Sequence, residues 1–267
     1  NTQGPVVLEM LNILEGYDLK SLGHNSADYI HLLVEAKKQA YFFRQKYLGG
    51  DSSYDGIVDR VISKEYAEEI RKQIRFDKTL NYHINPVRSS DTVYTSVVDK
   101  DRNCVSFISS IFDYFGSGIV VPGTGIVLHN RGSLFTNQEG TANCIGPNKR
   151  PLHTIIPAMV LKDSKPCLCF GVMGGHMQPQ GHVQVLINQI DFNMDVQEAG
   201  EADRFFHYND ALALESHIGW DVERNLIDRG HRVVKTVDEF GGYQAIQINW
   251  SNNTLSGGSD PRLDGCA

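Results

Sequence analysis

The sequence predicts an α+β protein built as two antiparallel sheets sandwiched between helices, and three observations predict it. Almost everything before Thr92 reads as helix and loop, with apolar residues at helical spacing. From Thr92 onward the pattern turns β-branched and strand-like. The strands come as pairs joined by short turns, separate from pairs of helices, rather than as alternating β-α-β units. The 267 residues are 41% hydrophobic and 21% charged, which suits a globular chain with a sizeable core. A net charge of -7 leaves no basic footprint, so no nucleic-acid partner is expected. No apolar run reaches the ~18 residues of a membrane span, so no membrane partner is expected either.

Taken in order, residues 5–15 read as a helix, with Pro5 near its first position and Gly16 beyond its end. A longer helix is expected from about Ser26 to Leu48. There Tyr29, Leu32, Leu33, Ala36, Ala40, Phe43 and Tyr47 fall near one face, and Gly49-Gly50 stops it. Lys37, Lys38, Arg44 and Lys46 would then form a solvated face. Ser63 is placed to cap a third helix running to about Ile74. Residues 76–91 lack periodicity and read as an exposed connector.

The first strands, 92–99 and 103–112, form a hairpin over Lys100-Asp101-Arg102. In that register 98 pairs with 104, 96 with 106, 94 with 108 and 92 with 110, so Ser110 sits beside Thr92 on one face of the sheet. Residues 115–125 are glycine-rich. No GKS or GKT follows them, so tight turns near an active site suit these glycines better than a phosphate cradle. A strand resumes at 126–128, and 154–161 with 166–171 make a second hairpin. Met173-Gly174-Gly175-His176 then leads into helices over about 179–192 and 196–202. The tail reads as a strand at 211–214, a helix at 221–229 stopped by Gly230, and strands at 243–248 and 254–257.

The change of pattern at Thr92 marks where the chain is expected to be cut. A threonine exposed as a new N-terminus carries both a hydroxyl nucleophile and an α-amine to act as its base. On its own, a threonine in a strand is equally an ordinary β-former. The five cysteines include no CxxC pair, and Cys167-Leu168-Cys169 puts two on one face of an apolar strand, which suits packing. A reducing compartment is favoured and a cytoplasmic location expected, any export signal lying upstream of Asn1. The ten histidines are scattered without an HExxH or comparable spacing, so no metal or cofactor site is expected.

Several motifs, in order, resemble the γ-glutamyltransferase family of N-terminal-nucleophile hydrolases. They are NTQG at 1–4, LEMLNILEG at 8–16, HLLVEAKKQAY at 31–41, TVYTSVVDKDRN at 92–103, YFGSGIVVPGTGIVLHNRG at 114–132, GPNKRPL at 146–152, MGGHMQPQGHVQ at 173–184 and SDPRLDG at 259–265. The resemblance implies a four-layer αββα sandwich and autocatalytic cleavage of the Asp91–Thr92 bond. Residues 1–91 would be the end of a large subunit and 92–267 a small catalytic one, both from one precursor, and a homodimer is allowed. Family members are about twice this long, so the arginine that clamps the substrate α-carboxylate is expected outside this chain.

The resemblance also implies roles. Thr92 matches the nucleophile, Ser110 the hydroxyl residue that hydrogen-bonds it, and Gly174 and Gly175 the pair whose backbone amides stabilise the oxyanion. Where γ-glutamyltransferases hold the substrate α-ammonium with an asparagine, a glutamine and an aspartate, this chain has Phe112, Arg131 and Leu134. His153 and Thr154 replace two serines that contact the α-carboxylate. These departures resemble the Asn-Arg-Gly branch of the family, which includes class IV cephalosporin acylases and oxamate amidohydrolase. The expected activity is cleavage of a small-molecule amide through an acyl-enzyme, with Arg131 meeting an anionic end of the acyl group. The alternatives are a conventional γ-glutamyltransferase or glutathione hydrolase, and a self-cleaved but catalytically idle binding protein.

Overall fold

The computed structural model describes residues 1–82, 91–235 and 240–267, so residues 83–90 of the expected 76–91 connector lie outside the described residues. The helices are α1 (Gly4–Leu14), α2 (Leu19–Leu22), α3 (Ala27–Tyr47), α4 (Asp55–Val61), α5 (Lys64–Arg71), α6 (Gln178–Ile190), α7 (Glu198–Glu201) and α8 (Trp220–Asp228). The strands are β1 (Asp91–Val98), β2 (Cys104–Phe112), β3 (Ala158–Lys162), β4 (Lys165–Val172), β5 (Phe205–Tyr208), β6 (Ala211–Leu214), β7 (Arg232–Val234), β8 (Tyr243–Asn249) and β9 (Thr254–Ser259). Among the described residues no helix is long and apolar enough to cross a membrane. Two compact units interleave along the chain. The first comprises Asn1–Val87, Arg131–His153 and Asp203–Glu239, and the second Arg88–Asn130, Thr154–Ala202 and Phe240–Ala267.

In the first unit α3 packs against α1 and α8. It starts where expected: the Ser26 hydroxyl accepts from the Tyr29 N–H at 3.1 Å. Its polar face is not solvated as the sequence suggested, because Lys37, Lys38 and Arg44 are all buried and only Lys46 is exposed. The Lys38 ammonium is 2.8 Å from Glu35 and also donates to the Thr79 hydroxyl and the Leu80 carbonyl. Lys37 Nζ lies 3.0 Å from His207 Nδ1 and over the Tyr41 ring, and burial holds its pKa well below the usual ammonium range. Arg44 donates to Gln3 and also stacks on Tyr41. Glu35 and Tyr41 are neighbours on α3 itself, but Gln3, Thr79, Leu80 and His207 come from distant stretches of chain, which a helical period cannot reveal.

The same unit holds a small sheet in the order β5-β6-β7. β5 and β6 form a hairpin over Asn209-Asp210, both with positive φ, as the tight primed turns require. β6 and β7 are parallel with α8 between them, one β-α-β unit that the sequence reading lacked. β7 has three residues, too few for alternation to register, and β5 (Phe-Phe-His-Tyr) is apolar on both faces.

The second unit contains the β1-β2 hairpin and an antiparallel sheet in the order β3-β4-β8-β9. The two sheets face each other, and α6 covers β4. Tyr94, Ile108 and Met173 form the apolar contact between sheets. Tyr94 lies on Gly171, where a Cβ would run into its ring, and its hydroxyl meets Ser106 Oγ at 2.7 Å. The Ser106 hydroxyl also reaches the Phe170 carbonyl at 3.3 Å. Two expected strands are shorter than predicted. Residues 126–128 make only an isolated bridge, Val120 to Val127, because positive-φ glycines at 116, 118, 123 and 125 bend the segment tightly. Residues 154–157 are held by α6 instead of a ladder: the Ile156 N–H donates to Gln178 Oε1 at 3.0 Å, and its carbonyl meets His182 Nε2 at 2.9 Å.

Beyond β4 the chain turns at Gly174 (φ 109) and Gly175 (φ 55) and enters α6 through a short 3-10 turn. Gly241 (φ 70) closes on this turn, and the Met173 N–H donates to the Gly242 carbonyl at 2.7 Å. At the end of the chain, Asp260 accepts from the Tyr243 N–H at 2.9 Å. Arg262 bridges that carboxylate to the Gly200 and Ala202 carbonyls, which accounts for the 259–265 motif as a structural clasp.

Two tests follow from this packing. Glu9 on α1 is fully buried, and among the described residues neither carboxylate oxygen has a hydrogen-bond partner. Burial pushes its pKa from 4.5 up to about 8. The folded state therefore holds a proton that the unfolded state releases between those values, so stability falls as pH rises from about 4.5 to 8. Glu9→Gln should remove that fall, with a gain over wild type at pH 9 of a few kcal/mol, bounded by ~1.4 kcal/mol per pH unit of the span. Urea unfolding at pH 5 and pH 9 measures it. A Cβ at Gly241 would drive into the Met173 carbonyl oxygen from a left-handed backbone. Gly241→Ala should cost about 1–3 kcal/mol in the same assay.

Candidate active site

The β1-β2 ladder keeps the expected register over most of its length: Val98 pairs with Cys104, Ser96 with Ser106 and Tyr94 with Ile108. The Asp99 carboxylate fixes the turn by accepting from the Asp101 and Asn103 N–H groups at 2.9 and 2.8 Å. At the other end the register changes. Val93 pairs with Ser109 but Asp91 pairs with Phe112, so Ser110 and Ile111 together stand opposite Thr92. This β-bulge replaces the simple 92–110 pairing. It is accompanied by φ 79 at Phe112, an uncommon angle for a bulky residue. The Ser110 hydroxyl accepts from the Phe112 N–H at 3.0 Å, so Ser110 helps hold the bulge. Bulges re-aim side chains and interrupt pairing beside active sites.

Thr92 is 7% exposed and lies on the wall of a cavity of about 870 Å³. Tyr94 and Ser96, on its own face of β1, share that wall. Met173, Gln244 and the stretch from Leu263 to Ala267 also line it, as do Val93 and Thr95 from the other face of β1. Met173 immediately precedes Gly174. Gly174 and Gly175 both have positive φ, a backbone that glycine adopts without strain, and they turn the chain from β4 toward α6 beside Met173. Burial raises the pKa of the Tyr94 phenol, so that group stays neutral and contributes no charge to the cavity wall.

The remaining sequence-derived residues divide between the units. Thr154 is fully buried in the second unit, while Arg131 and His153 belong to the first. Arg131 opens a short 3-10 turn at Arg131–Leu134, and burial lowers its pKa. The His153 N–H donates to the Asn1 carbonyl at 2.9 Å, and the Leu134 carbonyl accepts from Asn143 Nδ2 at 2.6 Å. The sequence reading missed Gly241, which closes on the Met173-Gly174 turn, and the cavity-lining role of residues 263–267. The Gly241-Gly242 pair just before a strand was the available signal. It also missed a cluster of His31, Glu35 and His231, the group among the described residues whose donor atoms lie close enough together to hold a metal ion.

Comparison with known proteins places this geometry. The family described as Gamma-glutamyltranspeptidase matches residues 1–267. The chain is 36% identical over 277 residues to the glutathione hydrolase-like YwrD proenzyme of Bacillus subtilis (strain 168), covering 100% of this chain and 52% of that protein. It is 36% identical over 267 residues to the acylase ACY 1 proenzyme of Pseudomonas sp. (strain SE83), covering 99% and 48%. The crystal structure of cephalosporin acylase from Bacillus halodurans superposes with a TM-score of 0.91 at 40% identity, covering 100% of this chain and 49% of that one. The chain thus spans about half the length of the curated relatives it matches. With helices and antiparallel sheets arranged as in that acylase, it has the α+β fold of the N-terminal-nucleophile hydrolases and belongs to the gamma-glutamyltranspeptidase family.

Proposed function

We propose that the chain carries the self-cleaving bond and the nucleophile of an N-terminal-threonine amidohydrolase or acyltransferase, with Thr92 as that nucleophile. The observation that carries this reading is the position of Thr92, buried at the bulged end of β1 on the wall of the 870 Å³ cavity. The names of the relatives, each a proenzyme and one an acylase, agree with it.

In the proposed processing step, Thr92 Oγ attacks the Asp91 carbonyl carbon and the peptide bond shifts from nitrogen to oxygen. Water then hydrolyses the ester, leaving an Asp91 carboxylate and a free Thr92 α-amine. In turnover the same oxygen attacks a substrate amide while the α-amine takes the hydroxyl proton. An unperturbed α-amine titrates at about 7.7–8.0, which leaves part of it as free base near neutrality. The amide N–H groups of Gly174 and Gly175 hold the oxyanion, a contact of a kind worth about 3 kcal/mol per donor. The proton passes to the departing amine, and water or an acceptor amine resolves the acyl-enzyme. Ser110, fixed at the bulge, positions the Thr92 hydroxyl.

The substrate class follows from the replaced residues. With Phe112 and Leu134 where the family binds an α-ammonium, no carboxylate remains at those positions to pair with a cation, and an unpaired buried ammonium is costly. Arg131 instead meets an anionic group on the acyl side, its planar fork suiting a carboxylate, with His153 and Thr154 at the positions that contact that end. The Asn-Arg-Gly branch, acting on amides without the amino-acid ammonium, fits these features better than a conventional glutathione hydrolase.

Thr92→Ala should abolish both processing and turnover, leaving a single uncut chain by mass spectrometry; a processed Thr92→Ala protein refutes the assignment. Glutaryl-p-nitroanilide should be hydrolysed at least about tenfold better, in kcat/KM, than γ-glutamyl-p-nitroanilide, since removing the unpaired ammonium is worth upwards of ~1.4 kcal/mol. A clear preference for the γ-glutamyl compound would restore the glutathione-type reading.

A further inference from the structure

His31 and Glu35 stand one turn apart on α3 and so share a face of that helix. His231, at a sequence separation of 200, is brought against them just after α8. All three are buried, and their donor atoms lie within 4.8 Å of one another. His31 Nδ1 and His231 Nε2 are 2.7 Å apart. His31 Nε2 is 2.6 Å from the Arg75 carbonyl, which can only accept, so the His31 proton sits on Nε2 and Nδ1 carries the lone pair. The hydrogen between the rings therefore belongs to His231 Nε2. Glu35 is oriented as firmly: Oε1 accepts from Lys38 and the Thr79 hydroxyl, both at 2.8 Å, and Oε2 from the Leu80 N–H at 2.9 Å.

We propose that His31 Nδ1, His231 Nε2 and a Glu35 oxygen form a binding site for a divalent transition-metal ion of the zinc type. Two imidazoles and one carboxylate are a donor set of open zinc sites, and they disfavour calcium and magnesium, which take oxygen ligands. The backbone carbonyl on the far nitrogen of His31 is the outer support that metal-bound histidines usually have. The ion takes the place of the shared hydrogen: the His231 proton moves from Nε2 to Nδ1, both facing nitrogens offer lone pairs, and no net proton is released. The two nitrogens must part to about 3.3 Å, the separation set by Zn–N bonds of about 2.0–2.1 Å at a tetrahedral angle. A cavity of about 520 Å³ reaches the edge of the cluster, lined by His231 and by Lys38, Thr79 and Leu80, the groups that hold Glu35.

Lys38 supplies the distinguishing feature. Its ammonium holds the Glu35 oxygen that the ion needs, so the two cations compete for one carboxylate. Removing that ammonium while Thr79 and Leu80 still orient Glu35 must tighten metal binding, which it would not do for an ion held elsewhere on the surface.

The test is a titration of the purified full chain with Co²⁺, read by its visible ligand-field bands and by calorimetry, with Zn²⁺ displacing the Co²⁺. One equivalent with bands of four-coordinate intensity is expected. His231→Gln should weaken binding at least about tenfold, the scale of losing one metal-supporting contact. Lys38→Met should strengthen it at least about threefold, since the even smaller effect of a solvent-screened pair is a floor for removing this buried competing charge. Absence of binding, unchanged affinity in folded His231→Gln, or unchanged or weaker affinity in folded Lys38→Met overturns the proposal. X-ray absorption on the zinc-loaded wild-type chain needs no variant: scattering from two imidazoles supports the site, and from one or none refutes it. Thr92→Ala leaves these residues intact and should bind the ion like wild type, so failure here is separable from failure of the proposed catalytic reading.

Discussion

The register of one hairpin decides where Thr92 points. Side chains on a strand alternate between faces, so a slip of one residue would move Thr92 from the buried face it shares with Tyr94 to the exposed face of Val93 and Thr95. Three contacts of different kinds prevent that slip. The Asp99 carboxylate closes the turn on two backbone amides, and the Tyr94 ring lies on the bare backbone of Gly171. The Tyr94 hydroxyl joins Ser106 on the neighbouring strand. Only beyond these anchors does the ladder give way, at the bulge where Ser110 and Ile111 oppose Thr92. The pairing is firm up to the threonine and irregular at it. The proposed cleavage before Thr92 would be better served by this than by an unbroken ladder.

The first unit is organised differently. Its central helix buries long polar side chains as well as an apolar stripe that includes Leu32, Leu33, Ala36, Ala40 and Phe43, and each of those polar groups has an internal partner: Lys38 with Glu35, Lys37 with His207 and an aromatic face, and Arg44 with Gln3 and the same aromatic face. Buried pairs of this kind add little net stability compared with well-packed apolar residues, yet losing one member leaves a costly unpaired charge. Their geometry is consequently well specified. Glu9 stands apart, since burial alone drives its protonation.

Features read correctly from the sequence were those whose causes are local. Ser26 and Ser63 cap their helices through their own hydroxyls, accepting from the N–H three residues on. The 98–104, 96–106 and 94–108 pairs follow from the turn length and the alternation of one segment. Features that were missed have causes far away in the chain. The charges of α3 are buried because Thr79, Leu80 and His207 happen to surround them, and neither composition nor period carries that information. The bulge depends on how Phe112 adopts a left-handed angle against its surroundings. Residues 154–157 looked like a strand because Ile155 and Ile156 are β-formers, but side chains of α6 took up the hydrogen bonds a ladder would have used. For the candidate site, motif resemblance named Thr92, Gly174 and Gly175, whereas the closing of Gly241 on the Met173-Gly174 turn and the place of 263–267 on the cavity wall depend on contacts between distant stretches of chain.

The stacking of Tyr94 on Gly171 also fixes a pivot. The proposed chain end at Thr92 is two residue steps from that ring, and at roughly 3.3 Å per strand residue the freed end could sweep no more than about 7 Å. The proposed mechanism asks one oxygen to attack first its own neighbouring carbonyl and later that of a visiting molecule. A tether this short keeps the oxygen on the same side of the cavity for both reactions, so the second can begin without any rebuilding of the strand that delivered the first.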